Sequence, residues 1–388
     1  MPFLNIKTFS RLLVTVTLTG LLPTVGFAQT DPAPAPVAVV APDPAHAPVA
    51  ATAPAAAPTI VPAPATPTVA SAPVAPTIAP APEVPTDPLL AALPSDASAL
   101  GGYNVMIADR GNDRILIVSP EKKILWQYNF TDIPPGQGAD DAFFTDGGKH
   151  VITNLEHGQV IRIIDVATKK VIWDYGHLGK QGSAPGYLNF PDDAYMLPNG
   201  NISVADIRNC RILEISPDKK IVRQAGKTGR CWGAAPMLNS PNGDKPLPNG
   251  HELVSTIGDH SITELDQNWK QIYKLVLPFK YPSDPQVTKA GNFLVAGYTN
   301  PGNLIEINRA GKVVWTYKPI GDGTLNRPSL AIELPNGNVL VNDDLNARVV
   351  VIEKATNRIL WQYGVTRHPG SKPGYVHIPD GLDIIKAM

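Results

Sequence analysis

Apolar and polar residues alternate in short runs over most of the chain, and the stretch from Leu334 to Gly364 shows the unit clearly. A polar turn (Pro335-Asn336-Gly337-Asn338) leads into an apolar run that ends in acids (Val339 to Asp344). A short Asn/Arg turn, a second alternating run (Val349 to Glu353), another turn and a third run ending in Trp361-Gln362-Tyr363-Gly364 follow. Strand-length runs split by tight-turn residues predict an antiparallel meander. The tail of this unit recurs as ILWQYN (124–129), VIWDYG (171–176), IVRQAG (221–226), IYKLVL (272–277), VVWTYK (313–318) and ILWQYG (359–364). Trp126, Trp173, Arg223, Lys274, Trp315 and Trp361 then stand at equivalent positions, 41 to 51 residues apart. That period is the length of one four-stranded propeller blade.

Each unit needs a fourth strand ahead of the other three. Phe190-Pro-Asp-Asp-Ala-Tyr-Met-Leu and Arg327-Pro-Ser-Leu-Ala-Ile-Glu-Leu supply it before their Pro-Asn-Gly-Asn turns. Nothing comparable precedes Tyr103, whereas Ile378-Pro-Asp-Gly-Leu-Asp-Ile-Ile has the pattern with no strand after it. The C-terminal segment is therefore expected to close the ring as the innermost strand of blade one, which removes exposed sheet edges. The expected fold is all-β, a six-bladed β-propeller over 102–388.

Composition changes the picture at the other end of the chain. Lys7 and Arg11, an apolar run from Leu12 and Gly26-Phe27-Ala28 read as a secretory signal peptide over 1–28. No cysteine follows it closely, which argues against a lipoprotein, and no later run reaches membrane-spanning length. Residues 29–101 are dominated by Ala, Pro, Val and Thr and read as a low-complexity, disordered linker. Dense proline favours an extended spacer with a reach on the order of 200 Å at most, at about 3.1 Å per residue. The chain is thus expected to be exported, to the periplasm or beyond, and monomeric.

Removing the leader and linker leaves Lys+Arg and Asp+Glu nearly balanced. This gives no reason to expect nucleic acid or an anionic membrane as partner. The Asp-x-x-Asn-x-Arg pattern (Asp109, Asn112, Arg114; Asp206, Asn209, Arg211; Asp343, Asn346, Arg348) recurs in three blades and reads as turn scaffold. The two cysteines, Cys210 and Cys231, are expected to form a disulfide in an oxidising compartment.

The PNGN-x-LVAD…N-x-R…I…W-x-YG unit resembles that of the NHL-repeat and quinoprotein-like (PQQ-like) six-bladed propellers of exported bacterial proteins. The resemblance covers the propeller segment and none of the linker. It implies the fold, and it spans lactonases, lyases, sulfotransferases and binding proteins. Arylsulfotransferase-type propellers carry His in the first strand of the blade. Here those positions hold Asp140, Asp192, Asn242, Ser283, Ser329 and Asp380, which counts against sulfuryl transfer.

These six residues are expected to ring the mouth of the central channel, with Asp141, Asp193 and Asp284 beside them. Convergent carboxylates and amides suit a hard cation, so Asp192 and Asp380 are candidate Ca²⁺ ligands. Longer blade-joining loops (Gly176–Pro191, Gly226–Pro241, Gly364–Pro379) gather on the same face, where function tends to lie. They contribute His177, Tyr187, Trp232 and Tyr375 as candidate ligand contacts. Of the loop histidines His157, His177, His260, His368 and His377, the last is nearest the ring. It is the candidate general base, and Asp193, among the acids of the metal-dependent reading, is the other candidate catalytic residue. Two readings remain: a tethered module binding a small molecule, glycan or protein on the long-loop face, and a metal-dependent hydrolase or lyase in the acidic mouth. A bound quinone, for which only Arg230 and Trp232 speak, is a third.

Overall fold

The computed structural model describes residues 87–233 and 237–387; the expected signal peptide and most of the linker lie outside them. Twenty-four strands form six antiparallel sheets of four. Blade one contains Tyr103–Asp109, Arg114–Val118 and Ile124–Asn129, with Pro379–Lys386 as its innermost strand. The closing strand runs in register from Tyr103 opposite Lys386 to Ile107 opposite Leu382. The other innermost strands are Ala142–Thr145, Pro191–Met196, Pro241–Pro246, Pro282–Val287 and Ala331–Glu333. They pack on one another around the axis in a closed circuit.

Burial follows position in the blade. The second and third strands are buried along their length, as in Ile202–Asp206 and Arg211–Ile215, because both faces meet neighbouring blades. Outer strands such as Gln271–Val276 alternate between half-buried and exposed. The outer strands are held by one repeated contact. Trp126 donates its indole N–H to Val166 O, Trp173 to Pro217 O, Trp315 to Lys354 O and Trp361 to Pro120 O. Arg223 donates to Gln267 O and Tyr273 to Arg309 O in the same way. Each blade thus reaches the turn of the next, and the sixth reaches the first. Tyr273, not Lys274, holds the equivalent position in blade four. It lies opposite Glu264 as Arg223 lies opposite Glu214, so the motif was aligned one residue too far along.

The Asp-x-x-Asn-x-Arg turns are scaffold. Arg114 Nε and Asn112 Nδ2 both donate to Asp109 Oδ2, and the returning chain donates His377 N–H to Asp109 Oδ1. Asp206 takes the same bonds from Arg211, Asn209 and Asn189, and Asp343 from Arg348, Asn346 and Asn326. One carboxylate therefore closes its own turn and anchors the incoming blade-joining loop. Cys210 and Cys231 are disulfide-bonded, tying a turn of blade three to the loop that leaves it. Replacing both by serine should cost about 3 kcal/mol in the chain-entropy picture, read by denaturant unfolding with and without reductant.

The linker ends earlier than composition suggested. Residues 87–101 pack against the seam between blades six and one. Ser95 pairs with Trp361 as an antiparallel bridge; Asp96 N–H donates to Leu360 O and Gln362 N–H to Pro94 O. Asn336 and Asn338 of blade six donate to Ala99 O, and Lys122 of blade one donates to Pro94 O. Ala99 and Leu100 are buried. Leucine marks the change: there is none from 31 to 86 and four from 87 to 100.

On the short-turn side Glu252 is buried with one carboxylate oxygen unpartnered. Burial pushes it up to about 8, against the opposing pull of Arg223. A raised acid takes up a proton on folding, so its contribution is fully present below its ordinary value and is lost as pH rises through about 8. Glu252→Gln should therefore remove a loss of up to about 1.4 kcal/mol per pH unit, seen as a higher melting temperature at pH 8.5 but not at pH 4.5.

Candidate functional site

A proline opens the innermost strand in four blades and shortly precedes it in a fifth, and the residue before it is left-handed: Phe190, Ser240, Tyr281, Arg327 and Ile378 have φ of 51–58°. Four of these strands then bulge against their neighbours, between Asp192 and Ala194, for example. A bulge sets two residues opposite one and re-aims side chains. The result is that consecutive residues crowd the axis.

Asp140, Asp192, Asn242, Ser283, Ser329 and Asp380 all line one cavity of about 130 Å³, together with Arg110, Glu156, Tyr281, Asp284 and Tyr298. Three of the ring positions are knit into the scaffold. Asn242 Nδ2 donates to Pro282 O and to Ser283 Oγ, Ser255 Oγ donates to Asn242 Oδ1, and Asn342 Nδ2 donates to Ser329 Oγ at 2.6 Å. The carboxylates are less satisfied. Burial raises Asp140 and Asp192 well above the carboxylate range, with Arg110 pulling Asp140 back.

Arg110 is the cation of this site. Its Nη1 pairs with Asp140 and, at 2.8 Å, with Asp380; its Nη2 meets Glu156 at 2.8 Å and His157 Nδ1 at 2.7 Å. It reaches the axis because Gly111 lets the turn dock on the returning chain: Gly111 N–H donates to His377 O, and a Cβ there would lie 2.5 Å from that oxygen. Tyr281 and Tyr298 pack with ring centres 5.1 Å apart, and the Arg327 guanidinium sits 5.6 Å from Tyr298.

The other candidates divide. Asp192 offers a carboxylate oxygen within 4.8 Å of those of Asp140 and Asp141, a spacing suited to a metal ion, whereas Asp380 is paired with Arg110. Asp193 is fully buried beside Asp141 and Asp284, and burial raises it to about 6. His377 packs on Gly111, and neither it nor Asp193 lines the cavity. Tyr375 donates its hydroxyl to Asp87 of the packed N-terminal segment at 2.6 Å and is occupied there. His177 and Tyr187 stack at 4.2 Å in their own loop. Trp232 is 70% exposed, beside a separate polar hollow lined by Asn239, Asp259 and Lys274.

Arg110, Glu156 and Tyr298 were missed by the sequence reading, and they share a position: each directly follows the second strand of its blade. The signal was a common place in the blade, the first residue after its second strand.

No protein-family model matches this sequence, and no curated protein sequence matches it. Solved structures do match. A protein of unknown function from Bacteroides caccae is 16% identical, with a TM-score of 0.55 over 74% of this chain and 99% of its own. A propeller from a nidogen/laminin complex is 13% identical, with a TM-score of 0.52 over 74% of this chain and 100% of its own. Virginiamycin B lyase from Staphylococcus aureus is 13% identical at a TM-score of 0.44, over 64% and 78% of the two chains. At these identities the likeness is one of fold: this chain is similar to six-bladed β-propellers.

Proposed function

We propose that this chain is an exported, tethered recognition propeller of the NHL-like or quinoprotein-like type. Its ligand seats on the long-loop face over the mouth of the central channel. The observation that carries this reading is the convergence of all six ring positions on one small polar cavity. A volume of about 130 Å³ is below the 300–1,000 Å³ of pockets that enclose whole small molecules. It suits a single polar group of a larger ligand. Its lining is acceptor-rich, with Asp140, Glu156, Asp192, Asp284 and Asp380 against Arg110 alone, so the entering group is a donor: a sugar hydroxyl or amine, or a basic side chain of a protein. Tyr281 and Tyr298 give the rest of the ligand an apolar surface, and exposed Trp232 extends the face.

Titration of the full chain with neutral glycans, amino glycans and basic peptides tests the reading by calorimetry. A ligand whose binding is lost in Asp192→Asn and weakened at least tenfold in Tyr298→Ala supports it. Binding that survives both changes, or that maps to the short-turn face, overturns it.

The trio Asp140, Asp141 and Asp192 favours a second reading, a metal-dependent hydrolase or lyase. That reading expects turnover of lactones or esters that stops on chelation and in Asp192→Asn. His157, which contacts Arg110, replaces His377 as its candidate base.

A further inference from the structure

Each innermost strand brings two consecutive residues to the axis. The first members form the mouth; the second members are Asp141, Asp193, Gly243, Asp284, Leu330 and Gly381. The three aspartates of this inner set each place a carboxylate oxygen within 4.8 Å of the other two, and all three are buried. Both oxygens of Asp193, Oδ1 of Asp141 and Oδ1 of Asp284 have no hydrogen-bond partner. Desolvating an ionised carboxylate without a partner is costly, and three converging carboxylates add mutual repulsion. Lys245 acts on Asp193 through charge alone, and no cation among the described residues hydrogen-bonds to these oxygens. Arg110 is held by Asp140, Asp380 and Glu156, and Lys245 Nζ faces the Tyr195 ring at 4.4 Å from its centre.

The two inner glycines give an independent indication. Neither has a left-handed backbone, so conformation does not demand glycine at either place. Space does. A Cβ on Gly243 would lie 2.6 Å from Ser255 Oγ and 2.9 Å from Asp284 Oδ1, and one on Gly381 2.5 Å from Asp141 Cα and 2.8 Å from Asp141 Oδ1, so both glycines also let the inner strands pack closely. Glycine at these points keeps open the ground in front of the unpartnered oxygens.

We propose that Asp141, Asp193 and Asp284 hold one hard divalent cation on the propeller axis, with Gly243 and Gly381 leaving room for its water ligands. Carboxylate oxygens select hard ions, and oxygens up to 4.8 Å apart can share an ion bound at 2.3–2.6 Å. Ca²⁺ suits the site best, because it accepts an irregular shell and more ligands than the three side chains offer. This ion pins blades two, three and five together at their inner edges; it sits against the mouth, whose metal-capable trio shares Asp141 with it and differs by Asp140 and Asp192.

The test uses the full chain, stripped with a chelator and dialysed, then titrated with CaCl₂ and MgCl₂ by calorimetry. Elemental analysis follows re-equilibration. One ion per chain and a melting temperature that climbs with each tenfold rise in free Ca²⁺ are expected. Asp193→Asn should bind none, and its ion-free form should melt no lower than the ion-free wild type, because an uncompensated charge is gone. Asp192→Asn should keep the ion. Sensitised Tb³⁺ luminescence on the unaltered chain reads the same site without a substitution. No heat, no bound ion and no melting shift at millimolar Ca²⁺ would mean that protons neutralise the trio, and the proposal fails. An ion kept by Asp193→Asn and lost from Asp192→Asn places it at the mouth and equally overturns the proposal. Either failure leaves the ligand-binding test untouched.

Discussion

Trp361→Ala is expected to destabilise the chain by about 4 kcal/mol, at least twice the loss from Trp173→Ala. Both tryptophans hold the same place in the repeat and both donate to a carbonyl of the next blade. They differ in burial. Trp173 is partly exposed, while Trp361 is the largest fully buried side chain, because Ser95 and its neighbours are laid across it. Removing the indole opens a cavity at the ring's closing seam and leaves Pro120 O without its donor. The packed segment supplies the control. A chain starting at residue 87 should match the full chain in denaturant unfolding, and one starting at 102 should be weaker. In the shorter chain Trp361→Ala should cost less than in the longer, since the two changes remove shared contacts. Equal losses at Trp361 and Trp173 would sink the idea that the segment seals the seam.

Arg110→Met should cost about 3–5 kcal/mol, the range for a buried ion pair that loses one partner. The guanidinium is the shared counter-charge of Asp140, Asp380 and Glu156, drawn from the closing strand and blade two. Without it buried Asp140 and Asp380 and half-buried Glu156 face one another across the axis. Two further variants separate charge from packing. Arg110→Lys keeps the charge but not the fork that spans the partners, so it should recover only part of the loss. Adding Asp380→Asn to Arg110→Met should restore about half, because one of the stranded charges is removed. Unfolding free energies of the four chains give the coupling directly. If Arg110→Met were nearly silent, the carboxylates would have to be protonated already.

The ring architecture was legible because period-two alternation, turn chemistry and a blade-length period all point the same way. The closing strand was legible from a subtraction: one strand pattern too many after blade six and one too few before blade one. The ring of six residues at the mouth was legible because five of them directly follow a proline and Asp140 stands at the matching place. Arg110 was not, because the turn it sits in reads as scaffold, and the bonds of Asp109, Asn112 and Arg114 show that most of it is; Glu156 and Tyr298 sit in turns that share no pattern with it. A residue that varies inside a constant turn carries little weight until the fold shows which way it points. The seam segment was obscured by its Pro/Ala surroundings, in which four leucines are a faint mark. His377 was misjudged by sequence distance: three residues from Asp380, it faces Gly111 rather than the axis.

The seam segment also has a direction. It starts at Asp87, hydrogen-bonded to Tyr375 on the long-loop side, and ends at Gly102, whose carbonyl takes the N–H of Ala387 beside the short turns. A pull applied through the N-terminus therefore enters at the mouth side. It must peel this strap off contact by contact before any load reaches the closing strand, where Tyr103 and Lys386 lie side by side. The strap is a strain relief: its weak, sequential contacts yield first, and the ring keeps its closure.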